Sequence, residues 1–98
     1  MPKVAIAQTS PVLFDVERSL ERVAEWAGRA ADDGAEMVLF PEAMIAAYPK
    51  GSTFGSYLGG RTEAGRDLFR RYFESARELP GRVTAHLAQI AGEHKIAI

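Results

Sequence analysis

Few side chains in this 98-residue sequence could do chemistry. The best placed is Glu42, in Phe40-Pro41-Glu42-Ala43, directly after the apolar run Met37-Val38-Leu39-Phe40. Its neighbours Phe40, Pro41, Ala43, Met44 and Ile45 are apolar and predict a carboxylate stripped of water, which disfavours the charged form and raises the pKa. A carboxylate raised toward neutrality is a competent proton acceptor at cellular pH. A glutamate beside a strand end can equally cap, pair or meet water, so spacing alone leaves both readings open.

The other candidates carry less. There is no cysteine, which excludes disulfides, thiolate–zinc sites and a cysteine nucleophile within this stretch. His86 and His94 are the only imidazoles, too few for a self-contained transition-metal site, and are expected in solvent. Arg66, Arg70, Arg71 and Arg77 could meet a phosphate, but Glu63, Asp67, Glu74 and Glu78 interleave with them as on a solvated helix face. Ser52, Thr53 and Ser56 form no Gly-x-Ser-x-Gly elbow and suit turns better than nucleophilic attack. Trp26 falls off the main apolar stripe of its helix, where it is either partly exposed or an interface contact.

The elements that must position Glu42 follow from the apolar pattern. Val4-Ala5-Ile6-Ala7 and Met37-Val38-Leu39-Phe40 are short apolar runs without alternation, as in strands covered on both faces. Pro11 and Pro41 close them. Between them Asp15 caps a helix whose apolar stripe is Leu20, Val23, Ala24, Ala27, Ala30 and Ala31, and Gly34 ends it. Strand, helix and strand in this order make a βαβ unit. Residues 43–60, rich in Gly, Pro, Ser and Tyr, read as a long ordered loop, and such loops are usually functional. A second helix is predicted over 63–77, with Leu68, Phe69, Tyr72, Phe73 and Ala76 as a bulky core stripe. Pro80-Gly81 breaks it. Val83, Leu87, Ile90 and Ala91 mark a third helix with Gly92 near its end, and Lys95-Ile96-Ala97-Ile98 begins a third strand.

Composition excludes several classes. Twelve basic against thirteen acidic residues, well mixed, make neither a nucleic-acid surface nor an acidic tail. No apolar stretch approaches the roughly 20 residues that span a bilayer, and Gln8, Pro11 and Asp15 interrupt any signal-peptide core. The expectation is a cytoplasmic α/β protein with no membrane and no nucleic-acid partner. A strand beginning at 95 and a three-strand sheet with two open edges suggest the opening part of a larger domain.

The run Phe40-Pro41-Glu42-Ala43-Met44-Ile45-Ala46-Ala47-Tyr48-Pro49-Lys50-Gly51 resembles the first catalytic motif of the nitrilase branch of the carbon–nitrogen hydrolases. Val4-Ala5-Ile6-Ala7-Gln8 resembles the first strand of that family. Phe14-Asp15 with the helix to Gly34 resembles its second block. Phe54-Gly55, Gly65-Arg66-Asp67-Leu68-Phe69, Tyr72 and Pro80-Gly81 resemble the stretch that follows in nitrilases. The resemblance covers residues 1–98 and implies the N-terminal portion of one α-β-β-α sandwich domain, incomplete here. It implies a cysteine thiolate attacking a nitrile carbon, a lysine and glutamates assisting, and a carboxylic acid and ammonia as products. Glu42 matches the general base, and Tyr48 matches a residue close to the substrate pocket. The family's lysine and cysteine lie further along than residue 98, so Lys3, Lys50 and Lys95 do not stand for them. The resemblance implies no cofactor and no metal, a small nitrile as substrate, and a homo-oligomer in the complete protein. The 98-residue chain by itself is expected to be inactive and poorly soluble.

Ala46-Ala47 stands where nitrilases often carry Pro-Gly or Gly-Gly. Alanine resists the positive φ that glycine allows, so a different loop path is expected. An amidase-type member of the superfamily is the alternative, with Tyr48-Pro49-Lys50-Gly51 and Gly65-Arg66 favouring the nitrilase side. A nucleotide-binding module would need glycines between the first strand and helix, and Thr9-Ser10-Pro11-Val12-Leu13-Phe14 has none. A non-catalytic structural chain is the remaining alternative.

Overall fold

A computed structural model of the chain describes residues 1–47 and 62–98, ordered as β1 (Val4–Ile6), α1 (Val16–Asp32), β2 (Met37–Leu39), α2 (Glu63–Glu74) and α3 (Arg82–His94). The two strands are parallel neighbours, with Val4 opposite Met37 and Ile6 opposite Leu39. The ladder extends beyond them, since the Glu36 N–H donates to the Lys3 carbonyl at 2.8 Å and the Ala7 N–H to that of Leu39 at 2.9 Å. On its other edge β2 pairs with Ala97 in one parallel bridge, closed by Val38 N–H to Ala97 carbonyl at 2.8 Å. The expected third strand is thus this single bridge among the described residues. It leaves β2 in the middle, where Glu42 follows.

Helix α1 forms as its stripe dictates. Val16, Leu20, Val23, Ala27 and Ala30 are buried, while Ala24 and Ala31 are half-buried. The Asp15 carboxylate accepts the Arg18 N–H at 3.0 Å, satisfying a helix donor that has no partner within the helix. At the other end Gly34 takes φ +85°. Its N–H reaches the Ala31 carbonyl, and the Ala35 N–H reaches that of Ala30. This is a Schellman ending, which glycine adopts without a Cβ penalty. Helix α3 ends the same way with Lys95 at φ +51° and the Ile96 N–H on the Ala91 carbonyl. At its start the Cβ of any other residue at Gly81 would stand 2.7 Å from the Glu78 carbonyl oxygen. Gly92 lies within α3.

Packing is one-sided. Helices α1 and α3 lie together against one face of the sheet, with Val23, Ala27, Val38, Ile90 and Ile96 in the main core. Val16, Leu20 and Val83 form a smaller cluster, joined to the first by Ile45 and Leu87. The opposite face, expected to be covered, is open among the described residues: Val4, Ile6, Met37 and Leu39 are all exposed. Neighbouring pairs across the ladder make this a continuous apolar surface.

Three further expectations need correction. Helix α2 stops at Glu74 rather than 77, because the Ser75 hydroxyl donates to the Tyr72 carbonyl at 2.6 Å and takes up an end-of-helix acceptor. Its stripe is not core: Phe69 and Phe73 are exposed, the latter at 70%, and they line an open groove instead. His86 and His94 are half-buried rather than solvated, and His94 fits because Gly28 has no side chain; a Cβ there would stand 3.1 Å from the imidazole.

The charged helix face behaves as expected. Arg70 bridges Asp67 at 2.6 Å and Glu74 at 2.8 Å. The bond and charge of Arg70 hold the Asp67 carboxyl below its ordinary range, and Asp67 and Glu74 in turn raise the Arg70 guanidinium. Arg29 lies over the half-buried Trp26 ring at 4.4 Å. Among the described residues no helix is long and apolar enough to cross a membrane.

Candidate functional site

Glu42 opens the turn that follows β2. Val38, almost fully buried, anchors the strand, and Phe40 packs half-buried against the core. Pro41 has no N–H to continue the ladder, so the chain leaves the sheet there. Glu42 therefore sits past the carboxyl end of a parallel strand, the edge of an open α/β sheet where ligands bind. Its environment differs from the expectation. Glu42 is exposed, with Pro41 and Ala43 beside it also exposed, while Met44 and Ile45 turn inward to the core and leave the carboxylate uncovered. An apolar neighbour in sequence desolvates only when it folds over the group, and these two fold away from it.

The turn is held by an unusual backbone. Ala43 takes φ +57° and Ala47 φ +68°, so alanine accepts at position 47 the conformation it was expected to resist. The Ala47 N–H closes the turn on the Ala43 carbonyl at 2.8 Å. Buried Met44 and half-buried Ile45 fill core space that this path opens to them. The Ala46 carbonyl accepts the Phe14 N–H at 3.3 Å, and Phe14 is itself left-handed at φ +55°. Its ring meets Tyr72 at 5.8 Å between centroids and lies under the Arg71 guanidinium at 5.4 Å. Upstream, the fully buried Ser19 hydroxyl accepts the Val12 N–H at 3.0 Å and donates to the Val12 carbonyl at 3.2 Å. Helix α1 thus anchors the loop that holds the turn carrying Glu42.

Beside the turn runs a groove of about 270 Å³, lined by Ala43, Ala46 and Ala47 on one wall and Phe69, Tyr72, Phe73 and Ala76 on the other. Its walls are almost wholly apolar. The second site residue read from the sequence, Tyr48, lies outside the described residues, as do Lys50, Ser52, Thr53, Ser56 and most of the predicted loop. Lys3 donates its ammonium to the Asp33 carbonyl at the end of α1, and Lys95 caps α3. Among the described residues no three His, Asp or Glu side chains gather as a metal site. The N-terminus of α1, where a nucleotide module would hold phosphate, is already occupied by the Asp15 carboxylate. Sequence reasoning missed Phe14 and Ala43. Neither residue type signals a left-handed backbone, and only the fold requires it there.

The carbon–nitrogen hydrolase family matches this chain over residues 3–98. The chain is 39% identical to a bifunctional nitrilase/nitrile hydratase of Nicotiana tabacum and 42% identical to nitrilase 3 of Arabidopsis thaliana. Each alignment covers 96% of this chain and 27% of the relative. It is also 42% identical to an aliphatic nitrilase of Sinorhizobium fredii (strain HH103), over 93% of this chain and 30% of that protein. The chain spans little more than a quarter of the length of these curated relatives.

Proposed function

The chain belongs to the carbon–nitrogen hydrolase family, and from that premise we propose that it contributes the general base, Glu42, to a nitrilase. The observation that carries the proposal is the position of this carboxylate. It stands past the carboxyl end of β2, on a turn closed by the Ala47 N–H on the Ala43 carbonyl and held by the Phe14 N–H on the Ala46 carbonyl, in a chain similar along nearly all its length to proteins named nitrilases.

In the proposed reaction Glu42 takes the proton of a cysteine thiol supplied elsewhere in the complete protein. The thiolate attacks the nitrile carbon; a C–S bond forms, one C–N π bond breaks, and nitrogen takes up a proton to give a thioimidate. Water, deprotonated by Glu42, adds to that carbon. Ammonia leaves, and a thioester remains. A second water hydrolyses the thioester to the carboxylic acid and regenerates the thiol, so the balance is one nitrile and two waters to one acid and one ammonia. Glu42 is exposed among the described residues, and the task calls for groups of the complete protein that enclose it. Their arrival is what would desolvate the carboxylate.

The same reading makes residues 1–98 the first part of one domain with an α-β-β-α sandwich fold. The apolar face of Val4, Ile6, Met37 and Leu39 would then meet the second sheet. Without that cover the 98-residue chain is expected to be inactive and to aggregate. Tyr48 borders the substrate pocket in this proposal, the complete protein is a cytoplasmic homo-oligomer, and no metal or cofactor takes part. The test is to offer the complete protein a nitrile and the matching amide and to follow ammonia release. Release from the nitrile supports the nitrilase reading. Release from the amide alone replaces it with the amidase branch, and release from neither refutes both.

A further inference from the structure

Of the four non-glycine residues with a left-handed backbone among the described residues, Ala43 and Ala47 lie in the turn that follows Glu42, and Phe14 donates its N–H to the Ala46 carbonyl of that turn. In that conformation an L-residue crowds its Cβ against the next carbonyl oxygen. It persists only where surrounding structure over-determines it, and such residues cluster at functional sites. Here the over-determination is visible. Met44 and Ile45 are drawn into the core, the Ala47 N–H closes on Ala43, and Phe14 holds the Ala46 carbonyl.

Ala43 is the informative member. Its side chain is exposed, so packing of its methyl group does not impose the conformation. Its φ of +57° does decide how the chain turns immediately after Glu42. We infer that Ala43 is a positioning residue for Glu42: its left-handed backbone holds the carboxylate at the rim of the sheet while the next two residues dive into the core. The inference rests on the proposed role of Glu42 as general base.

The test is a series at this one exposed position in the complete protein: Ala43→Gly, Ala43→Asn, Ala43→Leu and Ala43→Val, each with kcat, KM and melting temperature. Glycine and asparagine adopt positive φ readily, leucine poorly and the β-branched valine worst. The expected kcat is within about threefold of the parent for Gly and Asn, about tenfold lower for Leu and lower still for Val, because small misplacements of a reacting group are costly. KM is expected to stay within about twofold throughout, since no substrate contact is removed. Asn and Leu have the same number of side-chain heavy atoms and the same branching at Cγ, so their comparison separates backbone preference from side-chain length and branching, and it decides the matter even if Ala43→Val fails to fold. Equal kcat for the folded Asn and Leu variants, or losses that follow KM or melting temperature, would overturn the inference. Glu42→Gln in parallel separates the two levels. If it keeps turnover, the base assignment fails; if it is inactive while Asn and Leu are equal, only the positioning role fails.

Discussion

Replacing Ser19 by alanine should loosen the site from a distance of many residues along the chain. Ser19 is fully buried in α1, and its hydroxyl both accepts the Val12 N–H at 3.0 Å and donates to the Val12 carbonyl at 3.2 Å. Alanine removes both bonds and puts nothing in their place. Leaving a part-buried N–H without a partner costs about 1–3 kcal/mol. At 1.4 kcal/mol per tenfold, that is roughly a 5- to 150-fold rise in local opening. The opening should spread to Phe14, two residues on, whose N–H holds the Ala46 carbonyl beside Glu42. Amide hydrogen exchange of the complete protein measures this directly, because protection of each N–H reports its own opening free energy. Protection at Val12 and Phe14 should fall by that factor, while the centre of α1, around Val23 and Ala27, holds. Unchanged protection at Val12 would refute the reasoning. So would an equal loss along all of α1, which would mean that Ser19 acts through helix packing and not as a clasp.

Two other perturbations follow from single contacts. Gly81→Ala should destabilise the protein by about 1–3 kcal/mol in equilibrium denaturation, since the new methyl would lie 2.7 Å from the Glu78 backbone oxygen, which cannot move aside like a side chain; an unaltered midpoint would contradict this. The Asp67 carboxyl, held low by its bond to Arg70, should titrate below the ordinary aspartate value of about 3.9 in NMR, and Arg70→Ala should raise it toward that value. Because its folded value is depressed, the small stability it contributes is present above that ordinary value and is lost as pH falls through the folded one. A titration unmoved by Arg70→Ala would show that the pair does not persist in solution.

The α1 helix was legible because its signals are local and mutually consistent: a capping carboxylate at Asp15, a stripe at three- and four-residue steps, and Gly34 where a left-handed residue is needed. Strands β1 and β2 were legible as apolar runs, and Glu42 as the residue just past the second. What covers those strands was not, because three residues are too few for alternation to distinguish one buried face from two. The same gap explains α2. Its bulky stripe reads as core wherever a partner exists, yet Tyr72 is only half-buried and Phe69 and Phe73 are exposed. The exposure of Glu42 depends on Met44 and Ile45 turning inward, which the left-handed Ala43 permits. Alanine carries no sequence mark of that conformation. The propensity argument against a positive φ at Ala47 was sound in isolation and lost to the closure of the turn on Ala43 and to the burial of Met44.

The most direct measurement is turnover by the complete protein with Glu42→Gln, a substitution that keeps the shape of the side chain and abolishes its capacity to take a proton. With folding verified by circular dichroism, nitrile hydrolysis is predicted to fall by about 10²- to 10⁴-fold, the usual contribution of a positioned proton acceptor. Turnover equal to that of the unaltered protein would contradict the account.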